Sequence, residues 1–302
     1  LAAVTKDERI GWLSGFSAYL LWGVFPLYFV LFQRTGALEV VAHRIVWSFV
    51  FCMLLLVALR GVRRFVGLWR DRRTALLLAA AGVLITLNWS LYVIGVLSGR
   101  TIEAALGYFI NPLAAVAFGV VVFRERLRLL QKVALVFGAL AVVVMVVAYG
   151  QVPWIALGLA ASFASYSVVK KLVGAKVQAV DGLASETAVM VPLALGYLLF
   201  LAVRGAGSFS LSGYGALLAT TGVVTAVPLL LFAVAARSIP MVGIGMLQYQ
   251  SPVWQFLIGW LVFGEPMPAS RWAGFVLVWI AIAVFIADIV LVVRAHRRAL
   301  RS

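Results

Sequence analysis

The chain has 302 residues, 65% of them hydrophobic and 12% charged, with 25 Lys and Arg against 10 Asp and Glu for a net charge of +15. A soluble domain carries about 25% charged residues, and a soluble fold of this length could not hide so much apolar surface, which excludes a soluble enzyme. Apolar runs interrupt the basic residues throughout, so the charge implies lipid rather than nucleic acid as the partner.

A membrane-crossing helix needs about 20 mostly apolar residues. Ten such stretches follow one another: Ile10–Leu31, Leu38–Leu59, Ala75–Ser98, Ile102–Phe123, Leu129–Ala148, Trp154–Leu172, Ala184–Val203, Gly213–Ala235, Ile239–Phe263 and Arg271–Val293. The runs are continuous rather than alternating, which excludes a β-barrel, and Ile10–Leu31 reads as a span rather than a cleaved leader. Arg60–Thr74 is expected to be a loop or an interfacial turn. The expected fold class is an all-α polytopic membrane protein with ten transmembrane helices. With both termini cytoplasmic, 20 basic residues fall on the cytoplasmic side and 5 (Arg34, Arg44, Arg100, Arg204 and Arg271) on the other, as the positive-inside rule requires. The +15 then lies against an anionic inner leaflet.

Phe109–Glu125 reads FINPLAAVAFGVVVFRE and Tyr249–Glu265 reads YQSPVWQFLIGWLVFGE. One offset of 140 places Pro112 on Pro252, Gly119 on Gly259, Phe123 on Phe263, Glu125 on Glu265 and Gly82 on Gly222. The chain therefore divides into two five-helix units, residues 1–150 and 151–302. Five is odd, so the units lie in the bilayer with opposite orientation, a recurring design of secondary transporters.

Several residues have ordinary membrane explanations. Gly11-x-x-x-Gly15 and Gly95-x-x-x-Gly99 read as close helix contacts, Trp12, Trp154 and Trp279 as interface anchors or packing, and Cys52 as a structural or lipid-facing thiol. Pro26, Pro112, Pro192, Pro228 and Pro252 each fall inside an expected span, where a missing N–H bends the helix; together they favour bent helices around a central space.

Near mid-depth lie Asn88, Trp89 and Tyr92, then Tyr108 and Asn111, then Thr225, then Gln248, Tyr249, Gln250 and Ser251. An unpaired amide in hydrocarbon is costly, so this layer either faces a substrate, with Trp22, Trp89, Tyr92 and Tyr108 as walls, or hydrogen-bonds between helices. A second layer is ionisable: His43 and Arg44 with Glu39 four residues before His43, then Glu103 and Glu186. These are gate or permeation-path groups, or static pairs such as Arg44–Glu103. Arg44 lies too far from the centre of its helix to be assigned as a substrate clamp. Asp288 is expected to cap or to pair with Arg294, and Glu125 and Glu265 to stabilise the turns that follow them. Proton coupling through His43 and a carboxylate is left open.

No metal spacing, phosphate-cradling loop or nucleophile motif is present, so neither enzyme nor cofactor nor metal is expected. The expected partners are a small-molecule substrate and the bilayer; monomer and dimer both satisfy the apolar faces. A membrane sensor or scaffold with a ligand-binding cavity is the alternative to a carrier.

His43-Arg44-Ile45-Val46-Trp47-Ser48, Asn88-Trp89 and Glu103-Ala104-x-Leu106-Gly107-Tyr108-Phe109-Ile110-Asn111-Pro112-Leu113 resemble the RarD branch of the EamA-type drug/metabolite transporter superfamily. Phe123-x-Glu125-Arg126, Thr225-x-x-Pro228, Gln248-Tyr249-x-x-Pro252, Phe263-Gly264-Glu265 and Trp279-x-Ala281-x-Ala283 extend the resemblance over nearly the whole chain. It implies a permease of the bacterial inner (plasma) membrane with two inverted repeats around a central cavity, the fifth and tenth helices lying further out. It also implies efflux or permeation of metabolites or drugs by alternating access. Gln250-Ser251 departs from the Ile-Gly that relatives carry there and adds polarity near the cavity.

Overall fold

The computed structural model describes residues 6–124, 127–149, 152–173, 177–210, 213–239, 244 and 247–299, so Glu125 lies outside it. The first span is two segments, α1 (Lys6–Gly23) and α2 (Phe25–Phe29), the latter continued by a 3₁₀ turn over Val30–Phe32. They meet at 45°. Then come α3 (Ala37–Ala58), α4 (Val62–Leu68), α5 (Arg72–Leu97), α6 (Thr101–Phe123) and α7 (Leu129–Tyr149). The rest are α8 (Trp154–Val173), α9 (Ala179–Val203), α10 (Gly213–Ser238), α11 (Gln250–Leu257) with a π turn over Ile258–Val262, and α12 (Ala269–Ala299).

Pro26 and Pro252 do not bend a helix from within. Pro26 lies in the first turn of α2, and Pro252 in the first turn of α11, where a missing N–H costs no intrahelical bond. Pro112, Pro192 and Pro228 do lie inside α6, α9 and α10. The expected span Ile239–Phe263 is likewise not one helix, because Gln248 and Tyr249 form a turn before α11. Asp71 accepts from the Arg73 and Thr74 amides at 3.2 Å and so caps α5; with the Thr74 hydroxyl, these bonds hold its carboxyl below the usual carboxylate range.

Seven helices among the described residues are long and apolar enough to cross a bilayer, and the α1–α2 pair makes an eighth. Their outer faces expose large apolar side chains such as Leu76, Leu193 and Val203, which is stable only against lipid. The chain is a polytopic helical membrane protein.

Within the bundle, α1 packs on α10 and α11, α8 on α5 and α6, α3 on α9 and α10, α5 on α9, and α7 on α12. Lipid tails are as apolar as the side chains, so these seams depend on close approach rather than on hydrophobic transfer. A Cβ on Gly11 would lie 2.5 Å from that of Ser238, and one on Gly82 2.5 Å from the Glu186 carbonyl oxygen. Gly95 approaches Ile155, but Gly99 has open space around it and φ +69°; it ends α5 in the left-handed conformation rather than making a helix contact.

Two carboxylates serve seams that sequence neighbours did not suggest. Glu265 does not stabilise its own turn: it accepts from the Thr101 and Ile102 amides at 2.6 and 2.9 Å, capping α6 from the other half of the chain. Asp288 is gripped by Arg128, whose Nε lies 3.0 and 2.9 Å from its two oxygens; the Arg294 side chain is outside the described ones. Removing the cap by Glu265→Ala is expected to cost about 1–2 kcal/mol. A detergent melting curve checks this, with Glu265→Gln losing less.

Candidate functional site

The mid-depth residues of α5, α6 and α10 converge with Arg44 of α3. Asn88 is buried; its Nδ2 donates to the Leu159 carbonyl at 3.1 Å and the Ser162 hydroxyl at 3.0 Å, and its Oδ1 accepts from the Tyr108 hydroxyl at 3.4 Å. Asn88 thus joins α5 to α8 and α6. One turn further along α5, Tyr92 stands 5.6 Å from Tyr108, ring centre to ring centre, and its buried hydroxyl has no hydrogen-bond partner.

Arg44 is 4% exposed. Its Nε donates to Thr225 Oγ1 at 2.9 Å, and its guanidinium stacks 4.2 Å above Trp89 and 5.4 Å from Phe29. Thr225 donates its own proton to the Thr221 carbonyl, leaving its oxygen to accept. Phe25 and Phe29 share one face of α2, four residues apart, so the break ahead of Pro26 is what presents them to Arg44. These two, with Ser162, were not singled out in the sequence; only the aromatic run around Pro26 hinted at them.

The remaining cavity candidates lie along neighbouring seams. Asn111 follows Tyr108 by three residues on α6 and keeps a buried, unpartnered Oδ1; the Tyr249 hydroxyl is also buried and unpartnered. Trp22 packs between Tyr19 and Phe232, and its carbonyl accepts from Gln255 Nε2 at 3.1 Å. Gln248 is half-buried in the turn before α11. Ser251 spends its hydroxyl on the Tyr19 carbonyl at 2.6 Å, whereas Gln250 Nε2 has no partner.

The ionisable residues do not form one network. His43 Nε2 is 4.0 Å from Glu39 and its ring stacks on Phe209, while Glu39 holds the Ser208 amide at 2.6 Å and so anchors the connection after α9. Glu103 takes the Ile155 amide and Arg100 Nε, both at 2.8 Å, so it does not pair with Arg44. Glu186 is two turns inside α9 rather than at its start, with Lys170 Nζ at 2.6 Å and the Tyr166 hydroxyl at 3.1 Å. Tyr166 and Lys170 went unmarked because their four-residue spacing on α8 reveals nothing of a partner on α9. A crevice lined by Arg100, Glu103, Met145, Pro153, Arg271 and Phe275 lies beside Glu103, away from the Arg44 cluster.

The family model described as EamA-like transporter family matches the chain twice, over residues 9–147 and 152–287. The chain belongs to that family. Within it the chain is of the RarD type: Protein RarD of Streptomyces exfoliatus is 45% identical over 98% of this chain and 94% of that protein. Uncharacterized transporter YojE of Bacillus subtilis is 41% identical over 89% of this chain and 90% of its own length. Protein RarD of Escherichia coli K12 is 35% identical over 94% and 96%. A solved crystal structure 20% identical to this EamA-type chain shares its fold at a TM-score of 0.56, covering 91% of this chain and 96% of that one.

Proposed function

We propose that this EamA-family chain is a secondary transporter, not an enzyme, that moves a small polar or amphipathic metabolite or drug across the bacterial inner membrane by alternating access. It does so with ten spans in two inverted five-helix repeats and both termini in the cytoplasm. The observation that carries this reading is the pattern of helix pairing. Exchanging α1, α3, α5, α6 and α7 with α8, α9, α10, α11 and α12 turns α1–α10 into α8–α5, α1–α11 into α8–α6, and α3–α10 into α9–α5. The same exchange leaves α3–α9 and α7–α12 unchanged, and every image is itself a packed pair. Gly82 meets the Glu186 backbone and Gly222 the Trp47 backbone, one position away from what the 140-residue offset requires. Two pseudo-equivalent halves can open in turn to opposite sides.

The long-range polar contacts support the alternation of spans. Glu39–Ser208, Glu265–Thr101 and Glu103–Ile155 involve the connections assigned to the outer side. Arg64–Asp181, Lys170–Glu186 and Arg128–Asp288 involve those assigned to the cytoplasm. The substrate site is the polar layer between them: Asn111 and Tyr249 offer unspent groups, and Asn88 and Trp22 hold the walls. Pro112 and Pro228 remove the N–H groups that would bond the Tyr108 and Val224 carbonyls, which places soft points of α6 and α10 beside that layer. His43 with Glu39 is the pair through which proton coupling would act.

Reconstitution tests this. Proteoliposomes screened with labelled metabolites, with and without a proton gradient, are expected to show saturable flux. Asn111→Ala is expected to raise KM roughly ten-fold at unchanged protein level, the value of one lost hydrogen bond. Saturable binding without flux would make the chain a sensor instead, and unchanged flux in Asn111→Ala would remove that residue from the site.

A further inference from the structure

Arg44 is a buried cation whose charge nothing described balances. Among the described residues no carboxylate lies within ion-pairing distance of it, and the two acids of the ionisable layer in its own half are committed elsewhere: Glu39 to Ser208 and His43, Glu103 to Arg100 and the α8 amide. The Trp89 face and the Thr225 hydroxyl are its partners. A cation–π contact of this kind offsets only part of the cost of burying an ion. Thr225 receives one N–H of five, and the terminal nitrogens find no hydrogen-bond acceptor among the described residues. A second unspent donor stands close by in the Tyr92 hydroxyl, buried and unpartnered on the same turn of α5 as Trp89. The cluster is rich in donors, holds no described acid, and is walled by Phe25, Phe29, Trp89, Tyr92 and Tyr108.

We infer that Arg44 is the anion clamp of the transport site and that the cargo is a small organic carboxylate with an apolar or aromatic body. The carboxylate takes the free edge of the guanidinium as a fork-to-fork pair, with the Tyr92 O–H as an additional donor, and the apolar body rests on the aromatic walls. Helix register alone argues against this role, because Arg44 is only eight residues, about 11 Å, into α3 at 1.5 Å per residue. The bend between α1 and α2 alters that by bringing Phe25 and Phe29 against the guanidinium. The inference rests on the central cluster being the substrate site of the proposed carrier.

The test uses the detergent-purified full chain and a matched pair of probes, 3-phenylpropionate and its neutral amide, read by thermal shift and titration calorimetry. The acid is expected to raise the melting temperature and the amide to leave it unchanged. Arg44→Lys, which keeps the charge but loses the fork, weakens the response to the acid roughly ten-fold, and Arg44→Gln abolishes it. Equal responses to acid and amide, no response to the acid, or an acid response surviving in Arg44→Gln would each overturn the inference. A ligand-free measurement separates a clamp from a brace: with no anion bound, Arg44→Met is expected to melt roughly 2–4 °C above the parent chain. A lower melting temperature makes Arg44 a structural brace and overturns the clamp. Neither readout needs flux. Acid-selective binding without transport would keep the clamp and sink the carrier, whereas flux indifferent to substrate charge would do the reverse.

Discussion

A Lys170→Met variant is expected to lose about 3 kcal/mol of stability, the cost of leaving a buried charge without its partner. That loss corresponds to a melting temperature lower by roughly 6–12 °C. The Glu186 side chain is 1% exposed and takes Lys170 Nζ at 2.6 Å. Lys170 sits in the last turn of α8, where a cation also meets the negative end of the helix. Tyr166 donates to the other Glu186 oxygen, but one hydroxyl does not neutralise a carboxylate. A Cβ on Gly182 would lie 2.9 Å from Lys170 Nζ, so the first turns of α9 are shaped around the ammonium. The double variant Lys170→Met/Glu186→Met is expected to recover most of the loss, because two apolar side chains replace a buried pair with little penalty. Tyr166→Phe loses only one hydrogen bond, about 1 kcal/mol. If the double variant melts as low as Lys170→Met alone, the unpaired Glu186 is not the cause and the assignment fails.

The outlines of the helices were legible because hydrocarbon selects continuous apolar length. Leu38–Leu59 became Ala37–Ala58, and Trp154–Leu172 became Trp154–Val173. Hydropathy failed where backbone chemistry or pairing decided the outcome. It cannot see that the chain breaks after Gly23, since both sides of the break are equally apolar; Pro26 was the signal, and its place in a first turn rather than mid-helix depends on the packing around it. It also started α9 five residues late, because Asp181 looks like a loop residue until Arg64 arrives from α4. The candidate site divides in the same way. Asn88, Trp89 and Tyr92 fall within five residues of one helix, and Tyr108 and Asn111 within four of another, so local spacing brought each set out. Arg44 reaches its site through Trp89 and Thr225, 45 and 181 positions away, and a single sequence carries no mark of such distant partners.

Gly222→Ala and Gly82→Ala are expected to be the most damaging glycine substitutions at the helix–helix seams, each costing about 2–3 kcal/mol by overpacking. A Cβ on Gly82 would stand 2.5 Å from the Glu186 carbonyl oxygen, and one on Gly222 would strike the Trp47 carbonyl. A side chain in the way could rotate, but a helix carbonyl moves only with its helix, so α5 must part from α9 and α10 from α3. Gly196 supplies the control. It lies inside α9 with nothing within 4 Å of its would-be Cβ, and Gly196→Ala should gain about 0.5–1 kcal/mol from helix propensity alone. Melting curves of the three variants decide the matter: if Gly222→Ala is as stable as Gly196→Ala, the contact does not hold the seam. Under the inverted repeat the two damaging variants gain a functional distinction as well. They wedge the two pseudo-equivalent seams between the halves, so they should bias the carrier towards opposite-facing states while costing similar stability. Sided thiol labelling of an Asn111→Cys probe in each background reads that bias. Identical labelling from the two sides of the membrane would remove the seams from the gating motion and leave them as packing alone.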